Sequence, residues 1–128
     1  MAVRIVRLGA ARARGEGLRI GTVRHPPRGV PKEQHATQNW YDAWLPELAP
    51  SAPLVKIAQA AQTDGAWARF VKKYRAEMAA PEKAHLLRLL AALSHESDFS
   101  VGCYCENEAR CHRSALRRLL EEHGAEIR

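Results

Sequence analysis

Cysteine and aromatic residues are scarce in this chain, which has three cysteines in 128 residues and only 6% Phe, Trp and Tyr. Three cysteines are too few, and odd in number, for a secreted disulfide scaffold, so a reducing cytoplasm is the expected location. No run approaches the ~18–20 apolar residues of a membrane span, and no secretory signal is readable. Internal repeats and low-complexity tracts are also missing from the sequence. We therefore expect no membrane partner and no repeat architecture.

The remaining composition is that of an ordinary globular protein. Hydrophobic residues make up 46% of the chain and charged residues 27%, which places it far from intrinsic disorder. A chain of this length buries roughly two thirds of its unfolded surface when it folds. We therefore predict one domain over residues 1–128.

Positive charge is concentrated near the start of the chain. The formal net charge is +6, but residues 1–32 hold eight basic residues and one acidic residue, a local charge of +7. Residues 33–128 hold 12 basic and 13 acidic residues, a charge of −1. Such a field attracts anions, so nucleic acid is one candidate partner and a merely solubilising surface is the alternative.

Apolar periodicity, glycine and proline divide the chain into short elements. Apolar runs predict strands at residues 3–6, 18–23 and 99–105. Glycines and small residues at 9–17 predict a loop, so residues 1–17 are expected to form a basic strand followed by a flexible loop. Three prolines and a glycine exclude regular structure from residues 24–32.

Helices are predicted between and after these strands. An aromatic stripe at residues 38–45 has helical spacing, and further helices are expected to begin near Ser51, Thr63 and Pro81. A last helix is expected from Cys111 to Gly124, before a tail that adds a short strand. Strands separated by helices predict a single-domain, helix-rich α/β fold of two or three layers around a small, mainly parallel sheet.

The strongest local signal is a cluster of all three cysteines, Cys103, Cys105 and Cys111, followed directly by His112 and Arg113. A strand precedes this turn and a helix follows it, so we expect the turn at the sheet edge where α/β folds bind ligands. The start of the helix presents the free backbone N–H groups of Cys111 to Ser114, which favour an anion. Arg113 adds a two-pronged donor for phosphate or carboxylate.

Three interpretations of this turn stay open. In the first, it binds an anion and carries a thiolate of depressed pKa, with Cys111 the best-placed nucleophile, Cys105 the second and His112 the acid or base. In the second, Cys103 and Cys105 bind zinc together with Cys111 or His112. Cys111 and His112 would diverge by about 100° in a helix, which makes a shared ion awkward. In the third, Cys103 is a small buried residue and the turn is structural.

Four segments of this chain resemble the YeaO-like family, catalogued as domain of unknown function 488. They are the Cys-x-Cys-Glu-Asn and Cys-His-Arg motifs within residues 103–113, Pro-Arg-Gly at 27–29, Ala-Pro-Ser at 49–51, and an aromatic helix at 67–77. The resemblance implies a small α/β fold in a soluble bacterial protein and implies no particular activity. It also implies that Arg28 and the Cys-His-Arg turn belong together.

These observations predict an anion-binding cleft between two loops. Arg24, Arg28 and Lys32 are expected in one wall, and residues 105–114 in the other, with Arg28 and Arg113 clamping the anion. The expected ligand is a nucleotide, a phosphorylated metabolite or nucleic acid. The thiol interpretation requires no cofactor, whereas the metal interpretation requires zinc. Whether the protein is an enzyme depends on geometry that spacing alone does not supply.

Overall fold

A computed structural model describes residues 1–105 and 110–128, and shows four strands and four α-helices within them. The strands are β1 (Val3–Arg7), β2 (Leu18–Gly21), β3 (Ala43–Trp44) and β4 (Phe99–Cys103). The helices are α1 (Ala52–Ala60), α2 (Asp64–Met78), α3 (Pro81–Leu93) and α4 (His112–Glu122). Most of the loop predicted at residues 106–110 lies outside the described residues.

The four strands form one sheet in the order β1-β4-β2-β3, and every neighbouring pair is parallel. β4 is a central strand, so Val101 has Ile5 on one side and Ile20 on the other. Parallel strands need crossover connections, and α1, α2 and α3 lie in the connection from β3 to β4. The connections from β1 to β2 and from β2 to β3 contain no α-helix. The predicted α/β class with a parallel sheet is confirmed.

The hydrophobic core lies between one face of this sheet and the helices. Successive side chains on a strand point to opposite faces, and Phe99 and Val101 of β4 lie on the core face. All four helices contribute to the same core, with Phe70 and Tyr74 of α2 and Leu116 of α4 among its fully buried side chains. None of the helices in the described part of the chain has the length and apolarity that crossing a bilayer requires.

A buried ion pair covers the opposite face of the sheet. Glu16 and Arg19 are 3% and 1% exposed, and the Arg19 Nε atom lies 2.7 Å from a Glu16 carboxylate oxygen. Arg19 also donates to the backbone oxygens of Ala10 and Asn39, while the Ser100 hydroxyl donates to Glu16. Every charged group of the pair is therefore hydrogen-bonded, as a buried charge requires.

The predicted helix starts are largely confirmed. α1 begins one residue after Ser51 and carries proline in its first turn. Thr63 caps α2, because its hydroxyl oxygen accepts a hydrogen bond from the backbone N–H of Ala66 at 3.0 Å. Pro81 is the first residue of α3. Cys111 immediately precedes α4, which ends just before Gly124 with its φ of +92°.

The helix predicted from the aromatic stripe at residues 38–45 is wrong. The structure has turns there, followed by the two-residue strand β3. Asn39 has a left-handed backbone with φ of +63°, which a helix does not continue through. Leu45 precedes a proline, and that position disfavours helical backbone. The stripe instead packs locally, with Tyr41 buried and the Trp44 Nε1 atom donating to the backbone oxygen of Val23 at 2.8 Å.

The C-terminal tail pairs with the outer edge of β1, as the sequence predicts. The Val3 N–H donates to the Glu126 oxygen at 2.9 Å, and the Arg128 N–H donates to the Val3 oxygen at 2.9 Å. Val3 and Ile127 thereby form a parallel bridge. The tail therefore extends the sheet beyond β1.

We expect Arg19→Met to lower the free energy of unfolding by about 3–5 kcal/mol, because it leaves the Glu16 carboxylate buried without its partner. Arg75→Met is the matched control, since Arg75 forms an exposed ion pair with Glu122 and exposed pairs contribute little. Urea unfolding of both variants measures the difference. Equal stability losses would contradict the assigned importance of the buried pair.

The same pair predicts how stability depends on pH. Burial acts to raise the pKa of Glu16, but hydrogen bonds from Arg19, Ser100 and the Ala13 N–H outweigh it and lower that pKa from 4.5 to about 2. A lowered folded-state pKa gives stability that is present above pH 4.5 and lost as the pH falls towards 2. The stability difference between the native protein and Glu16→Gln should therefore shrink across this range in urea titrations. A difference independent of pH would contradict the assignment.

Candidate functional site

The loops after β2 and β4 meet at one edge of the sheet. These strands are parallel neighbours, so both loops leave from their carboxyl ends. The Thr22 hydroxyl donates to the Gly102 oxygen at 3.0 Å, and the Tyr104 hydroxyl donates to the His25 oxygen at 2.8 Å. The structure thus brings the proline-rich loop and the cysteine turn into direct contact, at the edge where α/β sheets bind ligands.

Cys103, Cys111 and His112 form a buried cluster beside this contact. Cys103 is the last residue of β4, and Cys111 and His112 stand at the start of α4. Their exposed fractions are 2%, 1% and 8%, and the two Sγ atoms and a ring nitrogen of His112 all lie within 4.8 Å of one another. Two thiols and an imidazole therefore converge on one point.

The backbone of Cys111 explains this convergence. Its φ of −131° and ψ of 150° are extended, so Cys111 is the cap of α4 and not a helical residue. The divergence of about 100° expected between Cys111 and His112 applies only within a helix. That objection to a shared ion is therefore removed.

The sulfur atoms of Cys103 and Cys111 are joined as a disulfide, and Cys105 is the free cysteine. The Cα atoms of the pair are 7.8 Å apart, wider than the roughly 4.4–6.8 Å usual for a disulfide. In this state Cys111 is not the free nucleophile that the thiol interpretation requires. Only the reduced state presents its thiol.

His112 is held neutral by its surroundings. Burial lowers its pKa from 6.5 to about 4, and the nearby Arg113 acts in the same direction, while a hydrogen bond to Thr22 opposes them. The Nε2 atom lies 2.7 Å from the Thr22 backbone oxygen, which can only accept, so Nε2 carries the proton. The Nδ1 lone pair then faces Cys111 Sγ at 3.9 Å. The imidazole of His112 is therefore uncharged near neutral pH, and its acid or base role stays a prediction.

Cys105 differs from the activated thiol that the sequence suggested. It is exposed and lies in the cleft wall, yet burial of its thiol raises the pKa, against the opposing charges of Arg113 and Arg7. A reactive thiol needs a lowered pKa. Cys105 also lies outside the convergent cluster, so the structure separates it from the other two cysteines.

The predicted anion-binding residues fall into separate groups. Arg24 and Arg28 both line the cleft, but Arg24 donates to the backbone oxygens of Ala49 and Pro50. Lys32 lies instead at a second, smaller cavity of about 500 Å³. Arg28 is exposed and has no hydrogen bond or ion pair to any residue in the described ranges.

Arg113 and Ser114 serve the turn itself. Arg113 is 3% exposed, and its Nη2 atom donates to the Cys105 oxygen at 2.5 Å. Ser114 donates its hydroxyl to the Cys111 oxygen at 3.0 Å. The structure does not bring Arg28 and Arg113 together as the expected clamp, because Arg28 lines the cleft whereas Arg113 is buried and does not line it.

A cleft of about 770 Å³ opens over the Cys–His cluster. Its aromatic lining is Trp40, Trp67, Phe70 and Tyr104, and its basic lining is Arg7, Arg24, His25, Arg28 and Arg110. Phe70 belongs to the hydrophobic core and also borders the cleft, and Trp67 packs against that core, so helical spacing alone does not show which of them reach the cleft. Arg7 directly follows the strand predicted at residues 3–6, and it could have been found from that position at the carboxyl end of the strand. The cleft combines cationic groups with flat apolar surfaces.

We expect an alkylating reagent to modify Cys105 alone in the native protein, because Cys103 and Cys111 are buried. Mass spectrometry after iodoacetamide treatment should find one label, and none in Cys105→Ser. The labelling rate should continue to increase as the pH is raised above the usual thiol pKa, since the pKa of Cys105 is raised. Cys111→Ser tests whether the disulfide affects labelling, because this variant frees the Cys103 thiol and leaves Cys105 in place. Rapid labelling that persists in Cys105→Ser would contradict this placement.

Comparison with known proteins supports the resemblance carried by the motifs. The DUF488-N3a family model, described as the active DUF488-N3 subclade, matches residues 3–124. No curated protein and no solved structure shows significant similarity. The family match spans all four strands and all four helices of the described chain. The chain therefore belongs to the DUF488 family.

Proposed function

We propose that the cleft binds a small anionic molecule of the phosphate or nucleotide type. The observation that carries this proposal is Arg28, an exposed guanidinium in the cleft lining with no partner among the described residues. Guanidinium groups bind phosphate and carboxylate through paired, charge-assisted hydrogen bonds. The aromatic lining favours a ligand whose anionic group is attached to a flat or apolar part.

The distribution of basic charge supports a localised ligand over a nucleic-acid coat. Within the first 32 residues, Arg19 is neutralised by Glu16 and Arg12 forms a two-pronged ion pair with Asp42. Arg24 donates to backbone oxygens. Three of the eight basic residues in this segment are therefore held by partners within the protein. Arg28 is exposed at the cleft without a partner among the described residues, which makes it the clearest anchor.

The Cys–His cluster gives the bound ligand a chemical neighbour. Cys103, Cys105, Cys111 and His112 all line the same cleft as Arg28. An anion held by Arg28 brings the rest of its molecule into the space shared with sulfur and imidazole groups. The description of the matched subclade as active is consistent with a chemical role there.

We expect Arg28→Ala to weaken binding of inorganic phosphate or of a nucleoside phosphate by about 10–100-fold, the loss of one charged hydrogen-bonding group. Lys32→Ala is the matched control, since it removes the same charge from the same loop but lies at the other cavity. Isothermal titration calorimetry of both variants measures the effect. Equal losses would point to general surface charge and contradict a cleft site.

Salt dependence separates this proposal from the nucleic-acid alternative. A single anion anchored by one arginine should lose little affinity as salt rises. A nucleic-acid surface that contacts many phosphates should lose affinity steeply, because counterions are released on binding. Steep salt dependence with a DNA or RNA oligonucleotide, unaffected by Arg28→Ala, would favour the alternative.

A further inference from the structure

We propose that the reduced protein binds one zinc ion through Cys103 Sγ, Cys111 Sγ and His112 Nδ1, with the fourth coordination position open to the cleft. This metal centre does not rest on the anion-binding proposal. It follows from the geometry of three buried side chains, and it assigns to Cys103 and Cys111 a role that a structural disulfide alone does not give them.

The distances suit a tetrahedral ion. Zinc binds thiolate sulfur at about 2.3 Å and imidazole nitrogen at about 2.0 Å, so neighbouring ligand atoms are roughly 3.5–3.8 Å apart. Cys111 Sγ and His112 Nδ1 are 3.9 Å apart, and all three ligand atoms lie within 4.8 Å of one another. Breaking the S–S bond lets the two sulfur atoms move apart to this spacing, while Cys111 Sγ and His112 Nδ1 are already close to it.

The orientation of His112 is that of a prepared ligand. Histidines that bind metals usually donate their other ring N–H to a carboxylate or backbone oxygen, which fixes the ring and its tautomer. His112 donates from Nε2 to the Thr22 oxygen at 2.7 Å, and Nδ1 faces Cys111. Thr22 follows β2 directly, so the fold itself fixes the direction of this lone pair.

Charge and backbone spacing also favour an ion between the sulfurs. Two buried thiolates without compensation are costly, and a divalent cation neutralises both. Thiolate ligands select soft or borderline ions such as zinc over magnesium or calcium. The Cα atoms of Cys103 and Cys111 are 7.8 Å apart, and a bridging ion spans a wider gap than a direct sulfur–sulfur bond.

The three protein ligands leave the fourth coordination position of the zinc ion open, which is typical of catalytic zinc sites. All three ligand residues line the cleft, and no fourth His, Cys, Asp or Glu belongs to their cluster among the described residues. Structural zinc sites are closed by four protein ligands, whereas catalytic sites keep one position for water or substrate. Arg28 lines the same cleft as the three ligand residues.

The disulfide and the metal centre are two states of the same sulfurs. Hydrogen peroxide converts one state into the other by taking two electrons from the two thiolates, which form the S–S bond. The peroxide takes up two protons and becomes two water molecules, and Zn²⁺ is released.

The test uses the full chain, reduced with a phosphine and freed of metal by a chelator. Titration with Co²⁺ should give one bound ion per chain, with sulfur-to-cobalt charge-transfer absorption and tetrahedral visible bands that Zn²⁺ then abolishes. Cys111→Ser and His112→Gln should each lower the affinity by at least ~100-fold, beyond the ~10–100-fold effect of losing an outer partner. Cys105→Ser is the matched control and should bind like the native protein.

The native protein alone also tests the proposal, should a buried variant fail to fold. Treatment with hydrogen peroxide should abolish Co²⁺ binding, and the phosphine should restore it. No Co²⁺ uptake by the reduced chain, uptake unaffected by oxidation, or a loss in Cys105→Ser equal to that in Cys111→Ser would each overturn the assignment. Arg28→Ala should leave Co²⁺ affinity unchanged, which keeps this result independent of anion binding.

Discussion

The buried ion pair between Glu16 and Arg19 joins parts of the chain that the sheet hydrogen bonds do not connect. Through it, the loop after β1 is fixed to β2, to β4 and to the turn at Asn39. The Gly9 N–H bonds the same Asn39 oxygen, and Gly9 has no room for a side chain because Trp40 packs over it. Gly9 and Trp40 both line the cleft. The position of one cleft wall therefore depends on a pair of charges on the opposite face of the sheet from the hydrophobic core.

The other wall depends on a single backbone choice. Cys111 is extended and stands outside α4, so its side chain and that of His112 turn toward the same point. Had α4 begun one residue earlier, the two side chains would diverge by about 100°. The residue that caps α4 is therefore also one of the three side chains that converge at this site.

Much of the fold could be predicted from the sequence, because the residues that begin and end its helices and loops are easy to recognise. Pro81, Thr63 and the glycines around the first loop act locally, so they mark element ends without knowledge of the fold. The helix predicted at residues 38–45 was wrong because the spacing of its aromatic residues is equally compatible with a helix and with turns that pack aromatic rings. Long-range contacts decided between the two, including the bond from Trp44 to Val23.

Some residues of the candidate site could be predicted from the sequence, but their arrangement could not. The cysteine turn and Arg28 stood out by residue type and were placed at the correct sheet edge. Burial is a long-range property, so the sequence did not show that Arg113 would lie beneath the surface or that Cys105 would separate from Cys103. The sequence likewise showed only that residues 1–32 hold eight basic residues, whereas the structure shows which of them form ion pairs or hydrogen bonds.

The pairing of the C-terminal tail with β1 has a consequence for how this protein can associate. An uncovered edge strand invites another chain to add a strand of its own, which is a common route to aggregation. Here the tail covers the beginning of the β1 edge at Val3, and the opposite edge, β3, is only two residues long. In the described part of the chain, the sheet therefore offers little backbone for an incoming strand. Recognition is left to side chains, and those of the cleft are the best equipped for it.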